Sequence, residues 1–398
     1  MAKPKLALIP ASQGTKLYSV LPSNGVGDFA FTRGTIATRI NSQGLIETVA
    51  SGVSRLNYPL IDGVVNGCPS HLLEPTKQNV LQRSEEFDHT YWVNNGGSVN
   101  PNQTISPSGL LNADLLTGVS GGFGIVRFST WTATNKVASC FAKKGSSNLF
   151  TIKNASSGIG GVTFDLENGT LSSISSGFEG EIENYGNGWF RCTAIDTSAR
   201  SGTFSLGVTT ASESVYIWGV QLESDYKTSY IPTTTSAVTR SAETAIGSGD
   251  NTIFNDSEGV LYVETKGFID VPSSSGYIQL SKNGEASFNN SLVLQHRDNG
   301  YLRVYVNGNA TPDIQFNVNI DFTENHKIAV LYKLNGYKLF IDGVAQNLYG
   351  TPTQTVFSGL DNLSFDLRGA LGWNGSIKDL QVFTTALTDA ELISLTTI

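Results

Sequence analysis

Aromatic side chains flanked by amide, hydroxyl and guanidinium groups are the residues of this sequence best suited to chemistry with a ligand. An aromatic face stacks on the apolar side of a sugar ring, while Asn, Asp and Arg satisfy its hydroxyls. Trp131 lies among polar residues in a stretch typical of a loop and is the first candidate. Tyr301, close to Arg297, is the second, and Trp373 beside Asn374 is the third. For Trp373, a place in the hydrophobic core is the competing interpretation.

Carboxylates could make the protein an enzyme acting on glycans if two of them were held across a glycosidic bond. The motif Glu-x-Asp-x-x-Glu, which would carry them on one strand, is absent from the sequence. The nearest cluster is Glu179, Glu181 and Glu183, which alternate along one face of a predicted strand, as the residues of a solvated sheet edge also do. The sequence therefore favours binding over catalysis, although carboxylates from separate strands remain an alternative.

No cofactor is predicted, and calcium is the one metal with plausible ligands. No histidine lies in a metal-binding or nucleophile motif; the four are His71, His89, His296 and His326. Carboxylate and carbonyl oxygens bind calcium, and the aspartates that could supply them are Asp321, Asp342, Asp361 and Asp379. Each of these aspartates fits a turn position better.

The cysteine content predicts neither a zinc site nor a disulfide framework. Cys68, Cys140 and Cys192 are odd in number, far apart and form no CxxC pair. We expect free thiols buried as small hydrophobic residues, which would suit assembly in a reducing cytoplasm.

Charge and hydropathy exclude two classes of partner. The 398 residues carry a formal net charge of −8, which opposes a broad phosphate-binding surface and hence binding to nucleic acid. No apolar run approaches the length of a membrane span, and Pro10 interrupts the first apolar run too early for a signal peptide.

The segment Val215–Arg240 organises the chain. The aromatic and β-branched residues at its start, Val215–Leu222, predict a buried strand. Pro232 and the Thr/Ser cluster after it have no apolar face to bury, so we expect the chain to pass there from one domain to another. Trp189 and Trp218 lie in strand-like runs and are expected in the core.

Residues 1–78 are a segment of short apolar runs punctuated by Pro and Gly. No run could form a domain alone, and isolated hairpins are marginal in water. We therefore expect these strands to pair with other chains or to pack onto the next domain.

Two local signals predict particular turns. Asn168-Gly169 lies between two short apolar runs, and Asn-Gly supplies the positive φ of a hairpin. Thr388 and Glu391 have the spacing of a capping box, which predicts the start of a helix near the end of the chain.

An ordered set of short motifs runs through residues 79–243: Asn79–Leu81, Ser84–Asp88, Tyr91-Trp92, Ser106–Gly109, Ala113–Leu116, Ser139–Lys143, Gly186–Cys192, Ile217–Glu223, Thr228–Thr233 and Val238–Ala242. This set resembles a jelly-roll module common in bacteriophage tail and fibre proteins and related in fold to carbohydrate-binding modules.

The first segment shows a further resemblance. The motifs Gly27–Phe29, Thr32-Arg33, Ala37–Asn41, Gly44–Glu47 and Arg55–Tyr58 resemble a leader that precedes the same jelly roll in phage proteins. The resemblance implies attachment to a virion or formation of a trimer. The leader's three arginines, Arg33, Arg39 and Arg55, are equally explained as solvated or as paired with nearby Asp28 and Glu47.

A different ordered set follows in residues 250–398: Gly259–Glu264, Tyr301–Gly308, His326–Tyr332, Gly336–Gly343, Trp373–Phe383 and Ala386–Leu392. It resembles the laminin-G-like, concanavalin-like lectin sandwich. The whole sequence thus predicts an all-β protein with an N-terminal strand-rich leader (1–78), a jelly roll (79–243) and a second β-sandwich (250–398).

Together the resemblances imply a virion protein of a phage: a fibre, spike or capsid decoration, assembled in the host cytoplasm. They imply a homotrimer attached to other virion proteins through the first segment, with sandwiches that bind bacterial surface glycan without catalysis. A polysaccharide depolymerase and a purely structural spacer are the alternatives.

Overall fold

The computed structural model describes most of the chain. The described residues are 2–119, 125–129, 136–154, 160–197, 202–208, 210–267, 276–284, 289–297, 300–307, 314–334, 336–347, 357–367 and 372–398. Within them the chain forms 34 strands and one short helix, so the predicted all-β fold class is confirmed. No helix in this described part is long and apolar enough to cross a membrane.

The first segment forms ten strands of two to four residues, since Pro and Gly interrupt every apolar run. They are β1 (Leu6–Leu8), β2 (Lys16–Leu17), β3 (Phe29–Thr32), β4 (Ala37–Ile40), β5 (Ile46–Val49), β6 (Leu56–Asn57), β7 (Leu60–Ile61), β8 (Val64–Val65), β9 (Ser70–Leu73) and β10 (Lys77–Asn79).

The middle region contains longer strands. They are β11 (Val93–Asn94), β12 (Ser98–Ile105), β13 (Leu111–Thr117), β14 (Ile125–Ser129), β15 (Lys136–Lys144), β16 (Leu149–Asn154), β17 (Gly161–Asp165), β18 (Thr170–Ile174), β19 (Phe178–Gly186), β20 (Trp189–Asp196), β21 (Gly202–Gly207), β22 (Ser214–Ser224) and β23 (Val238–Arg240).

The last region contains the remaining strands and the helix. They are β24 (Thr244–Ile246), β25 (Glu258–Gly267), β26 (Gly276–Ser281), β27 (Ser291–His296), β28 (Tyr301–Asn307), β29 (Ile314–Asn319), β30 (His326–Lys333), β31 (Lys338–Ile341), β32 (Val344–Ala345), β33 (Asn362–Ser364), β34 (Gly375–Phe383) and α1 (Asp389–Thr396).

The middle region is a sandwich of two six-stranded antiparallel sheets, ordered β11-β14-β21-β16-β17-β18 and β12-β13-β22-β15-β20-β19. The predicted buried strand is β22, which lies between β13 and β15. The Asn168-Gly169 hairpin joins β17 to β18, with Gly169 at φ +63°. Trp189 and Trp218 are buried as expected. β10 pairs with β23, so the chain enters and leaves this sandwich at one point.

The second sandwich packs an eight-stranded sheet on a five-stranded one around a large hydrophobic core. The five-stranded sheet is ordered β29-β28-β27-β26-β33, and the other runs β32-β31-β30-β25-β34-β9-β6, with β1 also on β34. The capping box of α1 is present, with the Thr388 hydroxyl and the Glu391 carboxylate each accepting the other's backbone N–H. Leu392 anchors this helix in the core.

Strands of the first segment complete the second sandwich. One edge of β34 pairs with β25, while the other pairs with β9 at its start and β1 at its end. The segment therefore pairs within the chain. It also packs onto the next region, as expected, because β10 pairs with β23 and Ile46 is buried against Trp189 and Trp218. This removes the argument that the segment needs other chains for its hydrogen bonds. The boundaries at 78, 243 and 250 stay predictions.

Five buried charged side chains, Arg33, Arg55, Arg240, Glu74 and Glu243, connect the first segment to the entry and exit of the jelly roll. We call them the junction network. Arg33 donates to Glu243 at 2.7 Å, Arg55 to Glu74 and Glu243, and Arg240 contacts Glu74 at 2.8 Å. Buried charges persist only when they are paired in this way.

The network corrects the expectations for two leader arginines. Arg33 and Arg55 are neither solvated nor paired with Asp28 or Glu47. Both pair with Glu243, which is 210 and 188 positions away in sequence, and Arg55 also pairs with Glu74, 19 positions away. Arg39 does pair with Glu47, at 2.6 Å.

The cysteines fall into two groups. Cys140 and Cys192 are buried, free and opposite each other on β15 and β20, and burial raises the pKa of both thiols. Cys68 is exposed, so the expectation of a buried thiol was wrong for that residue.

Candidate functional site

The five-stranded sheet of the second sandwich has one apolar and one polar face. Its strands alternate, so Ile278, Leu294 and Val304 point into the core, while the residues between them point outward. We call the polar and aromatic side chains of the outward face the Tyr301 face: Tyr277, Gln279, Gln295, Tyr301, Arg303, Tyr305, Gln315, Asn317 and Asn319. The outward face also carries Val293, which is buried in a small apolar cluster with Tyr277 and Leu367, and Tyr305 packs against this cluster.

Strand register aligns four of these side chains in a row across the sheet. Tyr277 lies opposite Gln295, Gln295 opposite Arg303, and Arg303 opposite Asn317. Gln295 Nε2 donates to the Tyr277 hydroxyl at 2.8 Å, and Arg303 Nε donates to Asn317 Oδ1 at 2.9 Å. The row is therefore ordered by its own hydrogen bonds, which fixes the positions of its polar groups before any ligand arrives.

The guanidinium of Arg303 also holds the neighbouring aromatic ring. Its Nη1 donates to the Tyr305 hydroxyl, and its Cζ lies 5.4 Å from the centre of the Tyr305 ring. Such a contact limits the rotamers of both side chains. Tyr305 thus presents a ring in a defined orientation next to a cation and an amide.

Exposure increases across the face from β26 towards β29. Tyr277, Gln279 and Gln295 are buried, whereas Tyr301 is 38% exposed. Arg303 and Tyr305 are half-buried, and Asn317 and Asn319 are exposed. The accessible part therefore combines two aromatic rings with a guanidinium and two amides, which is the set of groups that stacks on and hydrogen-bonds to sugar rings.

The structure brings together two of the residues proposed from the sequence. Arg297 and Tyr301 close the hairpin between β27 and β28, where the Arg297 backbone N–H donates to the Tyr301 carbonyl at 3.0 Å. Both therefore lie at one end of the Tyr301 face. Trp131, the first candidate, lies outside the described residues.

Trp373 and Asn374 do not form a binding pair. The Trp373 side chain is 1% exposed, its Nε1 donates to Thr265 Oγ1 at 3.1 Å, and its ring packs near His296 and Phe322. Asn374 is buried as well. A ring without an accessible face cannot stack on a ligand, so the core interpretation of Trp373 is the correct one.

The sequence contained a signal for the residues that were missed. In the β28 sequence Tyr-Leu-Arg-Val-Tyr-Val-Asn, a period of two places Arg303 and Tyr305 on the same face as Tyr301. Asn317 and Asn319 share a face of β29 by the same rule. Only the register between these strands, which the sequence does not reveal, shows that they are neighbours.

The four aspartates considered for calcium serve separate local roles. Asp321 accepts from the Thr323 backbone N–H, Asp361 from that of Asn283 and Asp342 from that of Lys327, while Asp379 accepts from Gln381. Among the residues that the structure describes, no group of three His, Cys, Asp or Glu side chains could hold a metal ion.

The acidic strand predicted at Glu179 to Glu183 is β19, an edge of its sheet. Lys227 lies 2.9 Å from Glu181 and also contacts Glu183. Burial alone would raise the pKa of Glu183, but the charges of Lys227 and Arg191 outweigh it and lower that pKa below its ordinary value. A general acid needs the opposite shift, so Glu183 is not suited to protonate a leaving group at neutral pH.

Comparisons with known proteins agree with the architecture of the second sandwich. A family model described as the concanavalin A-like lectin/glucanases superfamily matches residues 268–393. The match falls within the part of the chain that forms the second sandwich. No curated protein matches the sequence.

Several solved structures are similar in part. The CBM40 of Ruminococcus gnavus IT-sialidase, bound to α2,3 sialyllactose, is 17% identical over 38% of this chain and 94% of that chain, with a TM-score of 0.31. Domains LG4-5 of the mouse laminin α1 chain are 12% identical over 84% of this chain and 96% of that chain, with a TM-score of 0.25. Domain 4 of an extracellular arabinanase from Geobacillus stearothermophilus, in complex with arabinotriose, is 13% identical over 44% and 83%, with a TM-score of 0.31.

Proposed function

We propose that this protein is a component of a bacteriophage particle that binds a glycan on the host surface, without catalysis, through the Tyr301 face. The observation that carries the proposal is the row from Tyr277 to Asn317, which orders a guanidinium and an amide beside the half-buried ring of Tyr305. These groups lie on the outward face of the second sandwich, which is exposed at Tyr301, Asn317 and Asn319.

The place in the particle is supported by the motif resemblance of residues 1–78 and 79–243 to phage leader and jelly-roll modules. A fibre, spike or capsid decoration, assembled in the host cytoplasm as a homotrimer and attached through the first segment, fits that resemblance. The strands β1, β6 and β9 already pair within the chain, so a trimer would form through other surfaces of the first segment. Immunogold labelling of intact particles tests the location, and light scattering tests the trimer.

Binding is tested with the full chain on an array of bacterial surface glycans. We expect at least one glycan to bind, and the double variant Tyr301→Ala/Arg303→Ala to lose about tenfold or more in affinity, since each lost contact is worth roughly 1 kcal/mol. Lys333→Ala, an exposed change on the other sheet of the same sandwich, is the matched control. Equal binding by the double variant would contradict the assignment of the face.

A separate measurement tests whether the protein cleaves the glycans that it binds. The same glycans are incubated with the protein, and new reducing ends are counted. We expect none above the background of a heat-treated sample. Reducing ends that accumulate with time would favour the polysaccharide depolymerase, while a chain that neither binds nor cleaves any glycan would favour the structural spacer.

A further inference from the structure

A cleft separate from the Tyr301 face lies where the three regions of the chain meet. This cleft of about 1130 Å³ is lined by Tyr58 and Asp62 of the first segment, Glu179 and Glu181–Tyr185 of the jelly roll, and Lys266 and Thr323 of the second sandwich. We call it the junction cleft. Its volume suits a ligand of several rings, and none of its lining residues belongs to the Tyr301 face.

The charges around the junction cleft restrict the ligand. Seven carboxylate side chains line it, against four lysine or arginine side chains. Two of the carboxylates are paired with cations outside the lining, Glu74 with Arg55 and Arg240 and Glu167 with Lys144. Arg39 is likewise paired outside the lining, with Glu47, so five carboxylates face three cations. Such an excess of negative charge in a partly enclosed space repels polyanions and attracts neutral or cationic ligands. Phosphorylated, sulfated and sialylated ligands are therefore disfavoured.

The carboxylates of the cleft wall are held in place. Lys227 bridges Glu181, at 2.9 Å, and Glu183, and the lowered pKa of Glu183 keeps its carboxylate ionised. A carboxylate has about four acceptor positions, so one contact with lysine leaves capacity for hydroxyl or ammonium donors. Hydrogen bonds to an ionised acceptor are the stronger kind.

A buried donor in the same cleft lacks an acceptor. Arg191 lines the cleft and is only 3% exposed. Its Nη2 donates to Ser139 Oγ at 3.0 Å, and its Cζ lies 5.6 Å from the centre of the Phe141 ring. Its Nε finds no acceptor among the described residues. Because the Nε atom is itself buried, Arg191 contributes its positive charge and the shape of the cleft wall, and it does not offer this N–H to a ligand.

Aromatic rings complete the lining. Tyr58 comes from the first segment and Phe190 from β20 of the jelly roll, and both are half-buried. Rings of this kind stack on the apolar side of a sugar, while the carboxylates accept from its hydroxyls. The cleft thus has the elements of a saccharide site, with contributions from two regions of the chain.

We propose that the junction cleft binds a short oligosaccharide that is neutral or carries amino groups. This goes beyond the proposed function, because it adds a second site with its own ligand class at a different place in the fold. Glu181 and Glu183 accept from hydroxyl and ammonium groups of the ligand, and the half-buried rings of Tyr58 and Phe190 stack on its sugars.

The β7–β8 hairpin forms part of the cleft wall through a close approach of two glycines. Gly63 has a positive φ of 77°, and a Cβ there would collide with Asn184 and with the backbone of Gly186. Gly63→Val therefore moves the hairpin off the jelly roll and widens the cleft without changing any of its charges.

The experiment is calorimetry with the full chain and three tetrasaccharides of differing charge: glucosamine tetramer, N-acetylglucosamine tetramer and a heparin-derived tetrasaccharide. We expect the first two to bind and the heparin fragment not to bind. Glu181→Gln/Glu183→Gln should weaken the glucosamine tetramer by about tenfold or more and the neutral tetramer by less. Tyr58→Ala, which removes an aromatic ring from the lining, should weaken both, and Gly63→Val should weaken both by opening the cleft.

Controls separate this site from the Tyr301 face. Tyr301→Ala/Arg303→Ala should leave the affinity of the cleft for the glucosamine and N-acetylglucosamine tetramers unchanged. This result is expected whether or not the double variant loses binding to the glycans of the array. Melting temperatures identify any variant that fails to fold. If Glu181→Gln/Glu183→Gln fails to fold, Tyr58→Ala is used in its place to test the cleft. Absence of binding by both tetramers at millimolar concentration, equal binding of the heparin fragment, or unchanged affinity in the cleft variants would each overturn the proposal.

Discussion

The junction network and the Tyr301 face both concentrate polar side chains on β-structure, yet they do so in opposite surroundings. The network consists of charges that are buried and paired with one another. The face consists of amides, hydroxyls and one guanidinium, and it opens to solvent at Tyr301, Asn317 and Asn319. Polar groups that satisfy each other hold the chain together, whereas those facing water remain available for a ligand.

The difference extends to the hydrogen bonds of each region. In the network, Glu74 also accepts from the backbone N–H and hydroxyl of Ser229, and Glu243 accepts from the backbone N–H of Glu74. Carboxylates whose acceptor positions are occupied in this way cannot accept a further hydrogen bond from a ligand. On the face, the row from Tyr277 to Asn317 ends at an exposed amide, where another hydrogen bond can be added.

The largest expected effect follows from breaking the network. Arg55→Met leaves Glu74 and Glu243 with one partner fewer in a buried site, so we expect the free energy of unfolding to fall by about 3–5 kcal/mol. Lys144→Met, which removes the exposed ion pair with Glu167, should change it by less than about 1 kcal/mol. Denaturant titration measures both, and equal small losses would show that the network does not stabilise the junction.

His71 provides an intermediate effect that depends on pH. It lies on β9, the strand that ends directly before Glu74 of the junction network. Neither of its ring nitrogens has a hydrogen-bond partner in the described part of the chain. Burial lowers its pKa to about 3, while the unfolded chain takes up the proton near pH 6.5. The unfolded state therefore binds more protons between these values, and stability is full above pH 6.5 and falls as the pH falls towards 3.

The variant His71→Leu isolates this effect. Between pH 7 and 5 the native protein should lose about 2 kcal/mol of stability from this group, and the variant should lack that loss. Glu74 does not interfere in this range, because the charges of Arg240 and Arg55 outweigh burial and hold its pKa at about 2, which places its own loss below pH 4.5. If the variant loses as much stability between pH 7 and 5 as the native protein, the pH dependence comes from groups other than His71.

Local signals in the sequence predicted much of the fold and only part of the candidate site. The β22 strand, the Gly169 hairpin and the capping box of α1 depend on residues close in sequence, and these predictions were confirmed. The pairing of β1 with β34 and of Arg33 with Glu243 joins residues more than 200 positions apart, which no local pattern encodes. Tyr301 was identified by its type, but its neighbours Arg303 and Asn317 depend on strand register.

The smallest expected effect comes from Tyr305, whose hydroxyl and ring can be tested separately. Tyr305→Phe keeps the ring that faces Arg303 but removes the hydroxyl that accepts from its Nη1. Because the bond is partly exposed, we expect stability to change by less than about 0.5 kcal/mol, whereas glycan affinity should fall by about three- to fivefold as Arg303 loses its fixed position. Tyr305→Leu, which also removes the ring, should cost a further loss of similar size or larger. Denaturation and array binding on the same samples measure both quantities. If Tyr305→Phe lowered stability and left affinity unchanged, the face would behave like the junction network, and its polar groups would be structural.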